Sequence, residues 1–175
     1  WTIAYACAAV VLTLTACSTN SASSSATYSS HHATATSAAT SASVMNKLLQ
    51  AYHWDLDAAY GPDGAAQPLF KSLQPQEKVR LDFMVGANPG EQFVATKVCN
   101  HIRGDYMLEG SQFKLGRLIS TQMACLDNGI AQLERAVGNQ LGKLHTVQLV
   151  QCALTPKIAL GFSDGSRWHM TGTPT

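Results

Sequence analysis

Charge is scarce, 13% of the 175 residues, and it is missing altogether from the first 46. All 12 basic and 11 acidic side chains lie from Lys47 onward, which places the folded protein in the last three quarters of the chain. Neither sign dominates. A net charge of +1 leaves no basic excess to neutralise a run of phosphates, so nucleic-acid binding driven by counterion release is excluded, and there is no acidic tail. Nucleotide fingerprints are missing too: neither GxGxxG nor GxxxxGK[ST] occurs, and the glycines Gly86, Gly90, Gly104, Gly110 and Gly116 are spaced as turns and bulges. No CxxC is present, the spacing a thiol redox enzyme would need.

What stands in the uncharged quarter reads as targeting. Thr2 to Ala16 is apolar but too short, and too rich in Ala and Thr, for a membrane span of about 20 residues. It suits the core of a signal peptide. Leu14-Thr15-Ala16-Cys17 resembles a lipobox, so residues 1–17 are expected to be a signal peptide ending at a cysteine that becomes acylated and anchors the protein to a membrane. Ser18 after that cysteine implies delivery to the outer membrane, facing the periplasm. The chain begins at Trp1 without a methionine or a basic n-region, as expected of a sequence lacking its first residues. Residues 18–43 hold ten Ser, seven Ala and five Thr, with almost no branched aliphatic surface to offset ordering entropy. They are expected to be a disordered tether. His31-His32 within it lacks further ligands and is expected to be solvated.

From residue 44 to 175 the pattern is mainly strands with one helix. Trp54 and Leu56 alternate with Asp55 and Asp57, Leu81 and Phe83 with Arg80 and Asp82, and Val94, Thr96 and Val98 continue the period of two. Glu109-Gly110-Ser111 joins two strands as a hairpin, and Asp164-Gly165 predicts a type I′ turn between Phe162 and Trp168. Ile130, Leu133, Val137 and Leu141 form one helical stripe after a cap at Asp127 or Asn128, and Gly138 and Gly142 weaken that helix enough to require packing on the sheet. The expected fold is α+β, mostly antiparallel, with a barrel-like curved sheet and one packed helix.

Several of these residues carry a family resemblance. Val98-Cys99-Asn100-His101 with Gly104 and Tyr106, then Ser120-Thr121-Gln122-Met123-Ala124-Cys125, then Glu134 and Leu141, resemble the motifs of the META domain, or HslJ-like, family. The Trp54-Asp55-Leu56 strand is similar to the family's opening strand, and Val98 stands where the family usually has Gly. The resemblance implies a small antiparallel barrel with a helix across it, and a lipoprotein role in envelope or heat stress. It brings no catalytic residues. Pro156 to Thr175 resembles a relative in which the domain continues into a second small one, which would make this chain truncated at its C-terminus.

Of the five cysteines, Cys7 leaves with the signal peptide and Cys17 is acylated, so Cys99, Cys125 and Cys152 remain in an oxidising compartment. The resemblance implies a Cys99–Cys125 disulfide, two buried thiols being the alternative. Cys152 at a strand end is then buried and unreactive, or pairs with a partner missing from this sequence. No enzymatic activity, cofactor or metal is expected. Cys99 and His101 could suggest a thiol-dependent periplasmic enzyme, but neighbours in sequence are not a triad. A zinc site from Cys99, His101, Cys125 and Cys152 matches no familiar spacing. Asp55 and Asp57 share one solvated face, unlike an acid and base pair. Trp54, Tyr106, Phe113 and Trp168 could line a barrel cavity for a small apolar ligand, although in so small a domain such side chains form the core. The expected partners are the membrane, through Cys17, and an envelope protein or apolar ligand.

Overall fold

The structure, a computed structural model, describes residues 31–70 and 78–175, with side chains from residue 41 onward. The expected signal peptide, with Cys7 and Cys17, lies outside the described residues. So does residues 18–30 of the expected tether. From residue 31 on, the expected tether is helical: helix α1 runs from His31 to Gln50. The stretch contains no Gly or Pro and is rich in Ala, the strongest helix former. Its C-terminal end is held by packing, since Leu48 and Leu49 are buried and α1 lies against three strands of the sheet.

Those strands are β1 (Tyr52–Tyr60), β2 (Arg80–Val85) and β4 (His101–Glu109). With β3 (Gln92–Lys97), β5 (Gln112–Ser120), β6 (Leu144–Gln151), β7 (Lys157–Phe162) and β8 (Arg167–Pro174) they close a barrel in which each strand is antiparallel to the next and β8 returns to β1. The expected antiparallel, barrel-like α+β fold is therefore present, with two α-helices among the described residues in place of one. Residues Pro156 to Thr175 do not open a second domain. They supply β7 and β8, whose pairing with β6 and β1 closes the barrel.

Alternation sets the inside and the outside. In β4, Ile102, Gly104, Tyr106 and Leu108 point in while the residues between them are exposed. Trp54, Leu81, Ile158, Leu160, Trp168 and Met170 lose all solvent contact, and each such side chain contributes about 1.5–3 kcal/mol on burial. Phe83, Tyr106 and Phe113 meet one another with ring centroids 5.4 to 5.8 Å apart. These rings are the core, as the small size of the domain led us to expect.

One seam is weak. β5 and β6 pair only at Gln112 and Thr146, because helix α2 (Asn128–Leu141) is inserted between them. Asp127 caps α2, accepting from the Ile130 N–H at 2.9 Å, and Leu133, Val137 and Leu141 are buried as the stripe predicts. The last turn differs from expectation. Phe162 N–H donates to the Ser166 carbonyl and Gly165 N–H to the Phe162 carbonyl, so three residues, not a two-residue type I′ pair, join β7 to β8. Gly165, at φ +88°, is the left-handed residue such a loop needs.

Candidate functional site

The family-motif residues converge where β3 bends into β4. Cys99 and Asn100 lie in that bend, Thr121, Met123 and Cys125 in the irregular segment after β5, and Glu134 reaches them from α2. Cys99 and Cys125 form a disulfide with Cα atoms 6.0 Å apart. Beside it Asn100 is buried, and every polar atom of its amide is used. Its Oδ1 accepts from Thr121 Oγ1 at 2.9 Å and from the Met123 N–H at 2.6 Å. Its Nδ2 donates to Glu134 Oε1 at 2.8 Å and to the Met123 carbonyl at 3.2 Å. Glu134 Oε2 accepts the Cys99 N–H at 3.0 Å and the Asn100 N–H.

This cluster ties α2 to the bend before β4 and to the segment after β5, just beyond the point where the β4–β5 ladder ends with the Thr121 N–H donating to the His101 carbonyl. Burial alone would raise the Glu134 pKa, but the Asn100 and Cys99 amides, with Arg135 nearby, outweigh it and hold the carboxyl below its ordinary value. The other motif residues are structural as well. Gly104 faces inward where any Cβ would clash with the Leu118 side chain. Tyr106 donates its hydroxyl to Asn46 Oδ1 at 3.1 Å, linking β4 to α1, and burial pushes its pKa up to about 12. Ala124 is exposed. Val98, in the position where the family usually has Gly, is half-buried and packs on the core.

The other candidate constellations are not brought together, and Cys152 departs from expectation. His101 is exposed at the start of β4 and the Cys99 sulfur is bonded to Cys125, so no Cys/His nucleophile forms. Cys152 is exposed, not buried, and is not a free thiol. The four proposed zinc ligands therefore do not assemble, and Glu134 takes the place beside the two sulfurs. Asp55 is tied to Arg80 by two bonds of 2.7 and 3.0 Å, and Asp57 accepts from Thr171 Oγ1, so the two carboxylates act separately.

Sequence reasoning missed three features. The motif includes Glu134, but its spacing does not show it as the acceptor for a bend 35 residues away; the one signal is an acidic residue a single step from Leu133 on the buried stripe. A second clamp holds the other end of α2. Asp164 Oδ1 accepts the Ser166 N–H at 3.0 Å and the Ser166 hydroxyl at 2.5 Å, its Oδ2 meets Lys143 Nζ at 2.9 Å, and Gln140 Nε2 reaches Ser166 Oγ at 2.5 Å. Ser166 and then Lys143 overcome desolvation to hold the Asp164 carboxyl well below the usual range. Third, a concavity of about 680 Å³ lies between the loop after β1 and the outer face of α2, with Pro62, Pro68, Phe70 and Ala136 on its wall. Gln67 borders it, and the Gln67 Oε1 atom is buried without a hydrogen-bond partner.

Fold and site together define a small up-and-down β-barrel domain whose motif residues form a disulfide-linked hydrogen-bond clamp. The chain belongs to the META domain family, which matches residues 47–172. An NMR structure of a protein from Burkholderia xenovorans is similar to it, with a TM-score of 0.57 at 20% identity over 90% of this chain and 99% of that one, and so shares the fold. A second NMR structure, at 14% identity over 72% of this chain and 92% of the other, reaches a TM-score of 0.44. No curated protein matches the chain significantly.

Proposed function

We propose that this protein is an outer-membrane lipoprotein, anchored through Cys17, whose META barrel serves envelope or heat stress tolerance by contact with a protein or small molecule, without catalysis. The observation that carries the non-catalytic reading is the Asn100 clamp. Its amide is bonded to Glu134, Thr121 and Met123, and the two sulfurs are bonded to each other, which leaves no free thiol or hydroxyl nucleophile within the clamp. The anchor is supported by the uncharged apolar segment and by Leu14-Thr15-Ala16-Cys17 at its end. Metabolic labelling with a radioactive fatty acid and membrane fractionation test it. The wild-type chain should be labelled and sediment with outer membranes, and Cys17→Ala should be unlabelled and periplasmic. Identical fractionation of the two would sink the anchor.

The apolar concavity beside α2 favours a small-molecule contact on the flank of the barrel over a carrier cavity inside it, since the interior is filled by Trp54, Phe83, Tyr106, Phe113 and Trp168. A ligand for it would be largely apolar with one donor for Gln67 Oε1. Native mass spectrometry against a lipid panel, with Ala136→Trp to fill the wall, tests this: loss of an adduct in the variant supports the site, and an undiminished adduct refutes it.

A further inference from the structure

We propose that reduction of the Cys99–Cys125 disulfide converts the clamp into a binding site for a soft divalent cation of the Zn2+ or Cd2+ kind, held by the two sulfurs and a carboxylate oxygen of Glu134. The donor atoms of these three residues lie within 4.8 Å of one another, and Cys125 Sγ is 3.9 Å from each Glu134 oxygen. A tetrahedral site with metal–sulfur bonds of about 2.3 Å and metal–oxygen bonds near 2.1 Å separates its donors by roughly 3.5–3.8 Å. With the Cα atoms 6.0 Å apart, rotation of the freed side chains brings the sulfurs to that spacing.

The surroundings are those of a supported ligand set. Glu134 is already oriented by the Cys99 and Asn100 amides, and Asn100 Nδ2, while bonded to Glu134 and Met123, stands 3.7 Å from Cys125 Sγ and 4.0 Å from Cys99 Sγ as a shared contact that places positive amide hydrogens beside the sulfurs. All three ligand residues are half-buried, so a reductant and an ion can reach them. Three protein donors leave the fourth position to water.

The chemistry balances in two steps. An external dithiol gives two electrons and two protons to the disulfide, leaving two thiols here and a disulfide on the donor. The cation then displaces the two thiol protons as its bonds to sulfur form. Because metal–sulfur bonds form only as the thiol protons leave, binding releases two protons and strengthens with pH. The inference does not rest on the lipid anchor.

The test uses the full chain with Cys7, Cys17 and Cys152 replaced by Ser, reduced with a phosphine and titrated with Cd2+. One Cd2+ per chain should bind after reduction, with a cadmium–thiolate charge-transfer band, two protons released and a higher Tm, and none should bind before reduction. Glu134→Gln should weaken binding at least tenfold, and Cys125→Ser should abolish the band. No band in a reduced chain that circular dichroism shows folded, a band that survives Cys125→Ser, or a folded Glu134→Gln with unchanged affinity would each overturn the proposal. If Glu134→Gln does not fold, the cadmium-113 resonance of the parent chain decides: mixed sulfur and oxygen ligation supports the site, and sulfur without protein oxygen overturns it.

Discussion

Replacing Asn100 with Asp keeps the shape of the side chain and the Oδ1 that Thr121 and Met123 use, yet it removes the Nδ2 donor and sets a second carboxyl against Glu134. Two charges at the present 2.8 Å separation repel by roughly 6 kcal/mol at an effective dielectric of about 20. Holding one of them protonated at neutral pH costs less, about 1.4 kcal/mol for each of the roughly three pH units between neutrality and a normal carboxyl. The folded variant therefore keeps one shared proton that the unfolded chain releases, and loses about 4 kcal/mol at pH 7. Because the native state binds the extra proton, that loss shrinks by about 1.4 kcal/mol per unit as pH falls toward 4. Wild-type Glu134 has the opposite sign: its lowered pKa contributes stability above the ordinary carboxylate value and loses it in acid. Asn100→Ala, which deletes the amide without adding charge, should cost about 3 kcal/mol with little added pH dependence. Urea unfolding followed by circular dichroism between pH 4.5 and 7.5 reads all three proteins. An Asn100→Asp deficit below 1 kcal/mol at pH 7, or one that is the same at pH 5, would refute the clamp.

Cys125→Ser should cost about 3.5 kcal/mol by loop entropy for a bond spanning 26 positions, measured by the same denaturation; a loss under 1 kcal/mol would mean the hydrogen bonds alone hold the bend. Asp164→Asn should cost about 1 kcal/mol at pH 7, its partners being partly solvent-screened. Because the Asp164 pKa is depressed in the fold, that contribution is present above the ordinary carboxylate range and is lost progressively in acid, so the gap between the two stability curves should narrow as pH falls below about 4; parallel curves would contradict the Ser166 and Lys143 contacts. Gly172→Ala places a Cβ 3.0 Å from Pro156 Cγ and 3.1 Å from the Trp54 ring, and should lower stability by about 1–3 kcal/mol in a thermal melt. An unchanged Tm would show that β8 can shift away from β1.

The period-two residues of β1, β2 and β3 were legible because one barrel face is dry and the other wet, so each strand carries its own inside and outside in local order. The helix stripe was legible for the same reason, and so were the two glycine-bearing connections, since a left-handed residue advertises itself as Gly. Helix α1 was not. Its Ser, Ala and Thr composition matches a linker as well as a helix, and what distinguishes the two is Leu48 and Leu49 settling against the barrel 30 residues or more from some of their partners. The loop between β7 and β8 was misjudged by one residue because Asp164 answers to Ser166, Lys143 and Gln140 and not to turn propensity.

By itself the sequence determined which residues would be inside, that strands would predominate and be antiparallel, and that Cys99 and Cys125 belong to one motif set, since alternation, turn chemistry and family resemblance are all written along the chain. Only the tertiary structure decided that β8 returns to β1, that α1 packs on the barrel, and that Glu134 ends up beside both sulfurs. Closure and clustering depend on which distant surfaces can be dry at once, and a hydrogen bond between residues 35 positions apart leaves no periodicity for either end to show.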